Sequence, residues 1–127
     1  MSYKYFTREE YTKGRDKEVP LSKEQEDNLD KLLKVMDQFR EAYGKSLRVS
    51  SGYRPSSINA SVGGAKKSSH IMCLAVDFVD TDGSIDKFCM DNLELLEKLG
   101  LYLESPDYTP RWCHLQLKPT RNRVFKP

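Results

Sequence analysis

Histidine is scarce in this chain: His70 and His114 are the only two in 127 residues. Tryptophan occurs once, as Trp112, and the three cysteines, Cys73, Cys89 and Cys113, contain no C-x-x-C pair. Three thiols cannot all pair within one chain, so reduced cysteines in a reducing compartment are expected, each packed as a small apolar side chain. Cys73 and Cys113 flank the histidines, which leaves a thiol ligand or a bridge open. A large charge of either sign is also missing. The net +2 is too small to imply nucleic acid, and basic residues are spread along the chain except in the tail Lys118 to Lys126. That tail is expected to be a solvated terminus, with attraction to an anionic polymer as the alternative. Met1 to Glu10 has no apolar core, so no secretory signal is expected, and no run approaches a membrane span. With 38% apolar and 31% charged residues, the composition fits one globular domain over residues 1–127.

What is present reads as alternating helices and strands. Thr7 to Glu10 has capping-box spacing and predicts a short helix, followed by a polar loop from Lys13 to Pro20. Ser22 with Gln25 repeats the capping signal. Leu29, Leu32, Leu33, Met36, Phe39 and Tyr43 then recur at helical spacing, with Gly44 as the stop. This stripe is expected to pack on a sheet. Ser46 to Ser51 and Leu74 to Val79 read as strands, the second ended by Asp80-Thr81-Asp82-Gly83. Ser84 is expected to cap a second helix carrying Ile85, Phe88, Cys89, Leu93, Leu96 and Leu99, closed by Gly100. Leu101 to Glu104 and Trp112 to Leu117 complete the pattern as two more strands. The order suggests an α+β fold, a small antiparallel sheet covered by helices.

Both histidines lie beside strand-like apolar runs. His70 and Asp77 can meet if a turn leads into a strand, and His114 can approach from a second strand. Two imidazoles and a carboxylate suffice for catalytic zinc, which usually takes three protein ligands and leaves a position for water. Asp77 sits inside the apolar run Leu74 to Val79, where an unpaired carboxylate would be expensive. A salt bridge or an exposed strand face would account for Asp77 alone; a metal accounts for all three residues together.

The motifs around these residues are specific in combination: Ser51-Gly52-Tyr53-Arg54-Pro55, Asn59, Val62-Gly63-Gly64-Ala65, Ser68-x-His70-x-x-Cys73-x-Ala75-x-Asp77, and Trp112-x-His114. From about Tyr5 to Gln116 the chain resembles the zinc D-alanyl-D-alanine carboxypeptidase family, especially its short phage-type, endolysin-like branch. That family reads S-G-Y-R, N-x-x-V-G-G, S-x-H-x-x-G-x-A-x-D, then W-x-H. The resemblance implies the fold of zinc D-Ala-D-Ala carboxypeptidases, with His70, Asp77 and His114 holding zinc. It also implies that Arg54 binds the peptide's terminal carboxylate and that Ser68 helps orient substrate. A turn-forming serine is the alternative for Ser68. Asn59, Gly63 and Gly64 would shape the loop that presents Arg54 and His70, and Trp112 would wall the cleft or pack in the core.

Two positions depart from the family pattern. Cys73 stands where the family has glycine, and a cysteine reaches positive φ less cheaply, so an altered turn is expected there. Many relatives place glutamate three residues before the last histidine, where this chain has Arg111. Some short members instead place glutamate before a loop leading to W-V-H, so Glu104 is favoured as the proton-transfer group, with Asp107 in reserve.

The function implied is hydrolysis of a peptide bond in bacterial peptidoglycan by a zinc metallopeptidase, with peptidoglycan peptide as substrate. No nucleic-acid partner and no membrane insertion are expected, and the chain is expected to be monomeric. Without a signal segment, it would be made in the host cytoplasm and reach the wall after release or as a virion component. The rival reading, prompted by Cys73 and the displaced glutamate, is a catalytically impaired wall-binding or structural virion protein that keeps the fold. A nucleic-acid-binding role, suggested only by the basic tail, is weaker.

Overall fold

The computed structural model describes residues 3–57 and 68–127. Asn59, Gly63 and Gly64, together with the rest of their loop, lie outside the described residues. Helix α1 spans Arg8–Thr12 and opens with a complete capping box: Thr7 accepts from the Glu10 backbone while Glu10 accepts from the Thr7 backbone. Lys13 and Gly14 turn the chain at positive φ before a short 3-10 turn, Arg15–Lys17. Helix α2, Lys23–Tyr43, repeats the reciprocal cap with Ser22 and Gln25 and stops at Gly44, whose φ of 78° suits glycine.

The expected stripe on α2 is the core stripe. Leu29, Leu32, Leu33, Met36 and Phe39 are buried in one cluster with Val76, Phe78, Leu103 and Leu115 of the sheet. Tyr43 is half-buried and stacks on Phe39, with Phe88 edge-on to both rings.

The described strands are β1 (Val49–Ser51), β2 (Ala75–Val79), β3 (Tyr102–Glu104), β4 (Trp112–Gln116) and β5 (Val124–Phe125). They lie in the order β1-β2-β4-β3-β5. The pairs β1–β2, β2–β4 and β3–β4 are antiparallel, but β3–β5 is parallel. The sheet is therefore mixed, which corrects the expectation of a purely antiparallel one. The fifth strand comes from the basic tail, which is not simply solvated. Leu103 and Ser105 donate backbone hydrogen bonds to Arg123 and Phe125, and the Arg123 guanidinium donates to the Leu101 carbonyl and lies over the Tyr102 ring. Only two residues of the tail pair, too few for an alternation signal to register in the sequence.

The second expected helix is two: α3 (Ser84–Asp91) and α4 (Leu93–Leu99), broken at Asn92 (φ −134°, ψ 47°). The Asn92 side-chain amide donates to the Phe88 carbonyl, a local bond that competes with helix continuation. Nor is Ser84 the cap. Gly83 occupies that position, and the buried Asp80 carboxylate accepts from the backbone N–H groups of Ile85 and Asp86.

Candidate metal centre

The period-two alternation of strands puts the site on one face of the sheet and the core on the other. On β2, Val76 and Phe78 face the core and Asp77 the opposite side; on β4, Cys113 and Leu115 face the core while Trp112, His114 and Gln116 face away. Asp77 is the direct cross-strand partner of His114. On the far side of Asp77 the partner is Ser51, reached through a bulge in β1. The β3–β4 register pairs Tyr102 with Gln116 and Leu103 with Leu115, so continuing it by one residue brings Glu104 opposite His114. Glu104 in turn pairs with Phe125. One row across the sheet thus reads Ser51, Asp77, His114, Glu104, Phe125.

His70 reaches this row from a turn. Ser69 to Cys73 form a hydrogen-bonded turn that closes with Leu74 N–H donating to the Ser69 carbonyl at 2.9 Å and Cys73 N–H to the His70 carbonyl at 3.3 Å. This paired closure places its pivotal residue in the left-handed region, and Cys73 has φ 61°. The turn thus forms with a cysteine held in the left-handed region, at a cost of about 1–2 kcal/mol. Helix α2 braces it: Gln25 Nε2 donates to the Ile71 carbonyl at 2.7 Å and Asn28 Nδ2 to the Met72 carbonyl at 3.0 Å.

His70 Nδ1 lies 2.8 Å from the Gly52 carbonyl oxygen. A carbonyl can only accept, so Nδ1 carries the proton and the neutral ring keeps a lone pair on Nε2. Gly52 suits this position because it has no side chain: an added Cβ would stand 2.3 Å from the Tyr11 carbonyl oxygen. His70 Nε2 lies 3.2 Å from Asp77 Oδ2, yet it has no hydrogen-bond partner among the described residues. Two acceptors therefore face each other in a buried place, an arrangement that a cation relieves. His114 Nδ1 lies 2.7 Å from Asp77 Oδ1, and the two imidazole centroids are 5.1 Å apart. One ligand atom from each of His70, Asp77 and His114 can be chosen so that all lie within 4.8 Å of one another, and the group could hold a metal ion.

Electrostatics treat the two histidines differently around one carboxylate. Burial lowers the His70 pKa, with Asp77 opposing only in part. Burial would also lower His114, but the Asp77 hydrogen bond and charge, joined by Gln116 and Glu104, carry it above its ordinary value. Burial alone would raise Asp77; the two imidazoles outweigh it and hold the carboxyl well below the usual range.

The centre opens into a cleft of about 460 Å³ whose lining includes Arg54, Ser68, Glu104, Trp112 and Phe125 with the three candidate ligands. The Arg54 backbone N–H donates to the His70 carbonyl at 3.2 Å, tying the arginine to the same turn. Its Nε is buried without a partner among the described residues. Ser68 Oγ accepts from the His70 backbone N–H at 3.2 Å, so it shapes the turn as well as lining the cleft. Glu104 is half-buried; burial raises its pKa, the Asp77 charge adds to this, and His114 opposes. Asp107 is exposed in a 3-10 turn, Pro106–Tyr108, and is not among the cleft-lining residues. Arg111 is exposed at φ 72° and lines a separate cavity with Asp80, Asp86 and Met90.

All three cysteines are free and buried, and Cys73 and Cys113 belong to the core cluster rather than the cleft. The motif pattern gives no sign that Gly52, Ser69 and Gln116 support the histidines. Gln116 carries one usable signal, its position two residues after His114 on the same strand face.

The architecture is that of a small α+β domain carrying a histidine–aspartate–histidine centre on its sheet. Residues 4–102 match the Peptidase M15 family, and over that span the chain belongs to it, the family of zinc D-Ala-D-Ala carboxypeptidases. No curated protein matches the chain. Membership implies a hydrolase, and M15 peptidases are zinc-dependent. The matched span contains His70 and Asp77; His114 lies beyond it and is joined to them by strand pairing. Among the described residues no helix is long and apolar enough to cross a membrane.

Proposed function

We propose that the protein is a zinc peptidase that cleaves a peptide bond in bacterial peptidoglycan, as a D-Ala-D-Ala carboxypeptidase or a cross-link endopeptidase. The observation that carries this reading is the row in which Glu104 stands beside His114 and Asp77, with Arg54 lining the same cleft. His70, Asp77 and His114 would hold the zinc. When bound there, zinc supplies a Lewis acid that polarises the scissile carbonyl and makes water acidic enough to attack near neutral pH.

The remaining chemistry falls to the chain's own groups. Arg54 offers paired donors to a terminal carboxylate, and its poorly solvated guanidinium gives up little hydration in doing so. Ser68 orients the peptide at the cleft mouth. Glu104 accepts the proton of the attacking water and returns it to the leaving amine. A carboxyl with a pKa raised by burial is a stronger base than an exposed one. Trp112 and Phe125 wall the cleft and limit water around the reacting bond.

The whole chain, residues 1–127, acts as one domain and as a monomer, on peptidoglycan peptide rather than nucleic acid. In a phage setting it would be made in the host cytoplasm and reach the wall after release or within the virion. The rival, a wall-binding or structural protein without activity, draws on Cys73 and the displaced glutamate; the hydrogen-bonded turn at Cys73 and the place of Glu104 in the cleft support the peptidase reading over it.

Defined muropeptides incubated with the zinc-loaded protein, read by mass spectrometry with and without chelator, test the reading. Loss of one terminal alanine, or splitting of a cross-link, is expected and should stop with chelator. Unchanged masses with zinc bound would favour the wall-binding protein.

A further inference from the structure

We propose that Gln116 is a positioning residue of the metal centre: its side-chain oxygen holds the Nε2–H of His114, which turns Nδ1 of that ring toward Asp77 and the metal position. The inference deepens the zinc reading above and rests on it for the identity of the metal.

The orientation of the Gln116 amide follows from one unambiguous neighbour. Its Nε2 lies 2.8 Å from the Lys118 carbonyl oxygen, which can only accept, so the nitrogen end points there. The oxygen end must then face the other way. There it accepts from Ser69 Oγ at 2.9 Å and lies 2.8 Å from His114 Nε2. An oxygen opposite that ring nitrogen requires a proton on Nε2. The other nitrogen, Nδ1, is hydrogen-bonded to Asp77 Oδ1 at 2.7 Å and would supply the lone pair once a metal displaced the proton between them. The two histidines thus offer different atoms: His70 offers Nε2 because Gly52 holds its Nδ1, and His114 offers Nδ1 because Gln116 holds its Nε2.

Burial makes the arrangement costly to lose. Gln116 is 5% exposed and Ser69 7%, so water is poorly placed to replace either partner. The Ser69–Gln116 bond also links the turn that carries His70 to the strand that carries His114. Outer partners of metal-binding histidines orient the ring and typically contribute about 10- to 100-fold in metal affinity.

The test compares the parent chain with Gln116→Met, which keeps the length and removes the acceptor, and with Gln116→Glu, which keeps an acceptor. Zinc affinity is read by competition with a chromophoric chelator, and the His114 ring by long-range ¹⁵N–¹H spectra with and without zinc. Gln116→Met should bind zinc about 10- to 100-fold more weakly, and Gln116→Glu, which keeps the acceptor for His114 but loses the donor to the Lys118 carbonyl, should recover part of that loss. In the parent chain Nε2 should carry a slowly exchanging proton, and zinc should shift the Nδ1 resonance. Unchanged affinity and ring spectra in Gln116→Met would overturn the inference. If that variant does not fold, an Nε2 without a proton in the parent chain overturns it alone. A protein that binds zinc with the expected ring state yet cleaves no muropeptide refutes the peptidase reading and leaves Gln116 in its role.

Discussion

The two histidines are placed by different means. His70 rides on a turn whose geometry is set by backbone hydrogen bonds, by the Gly52 carbonyl and by two side chains of α2. His114 rides on strand β4, where pairing with β2 sets it opposite Asp77 and side chains set its rotation. The turn therefore depends on conformation: it needs a left-handed residue at Cys73 and no side chain at Gly52. The strand depends on chemistry: it needs particular partners at Asp77 and Gln116 but no unusual backbone. Sequence changes should accordingly hurt the two halves in different ways, stability first on the turn and metal chemistry first on the strand.

The sharpest break is at the ligands. Asp77→Asn and His114→Ala should each abolish stoichiometric zinc binding in equilibrium dialysis, because either leaves fewer than three protein ligands. Full occupancy in His114→Ala would remove β4 from the centre. Next in size is Glu104→Gln, which should keep fold and zinc while lowering kcat by about 10²–10⁴-fold. Asp107→Asn, exposed and outside the cleft, should do little; the opposite ranking in steady-state kinetics would transfer the role. Since the base must be ionised and its pKa is raised, activity should fall with acid at a pH above the ordinary glutamate value of 4.5.

On the turn side, Gly52→Ala must displace backbone of α1 and should destabilise by about 1–3 kcal/mol in urea unfolding, with weaker zinc binding as a consequence. Cys73→Gly should have the smallest effect, within about 1 kcal/mol. Relief of left-handed strain is offset there by the flexibility of glycine in the unfolded chain and by the lost buried thiol. A large loss of stability in Cys73→Gly would show that the side chain, rather than the turn, holds that segment.

Much of this division could be read from the sequence because it follows from short-range rules. The capping boxes at Thr7 and Ser22, the apolar stripe of α2 and the apolar run Leu74 to Val79 each announced an element that formed. His70, Asp77 and His114 could be grouped because the chain has only two histidines and Asp77 is the carboxylate inside an apolar, strand-like run. What escaped was long-range or cooperative. The pairing of β5 with β3 joins two short segments about 20 residues apart and carries almost no local signal. The break at Asn92 depends on a side chain competing with the helix backbone, and Asp80 caps α3 from five residues upstream of Ile85, beyond the spacing of a simple N-cap. The partners of the two histidines, Gly52 and Gln116, emerge only once the turn and β4 are brought together.

X-ray absorption at the zinc edge of the loaded protein tests the central claim, that the turn and the strand row build one centre from His70, Asp77 and His114. The expected first shell is nitrogen and oxygen at about 2.0–2.1 Å with the outer scattering of two imidazoles. A sulfur scatterer at about 2.3 Å would bring Cys73 or Cys113 out of the core and into the centre. A shell with only one imidazole would leave the turn and the strand unconnected. Either result would contradict the account.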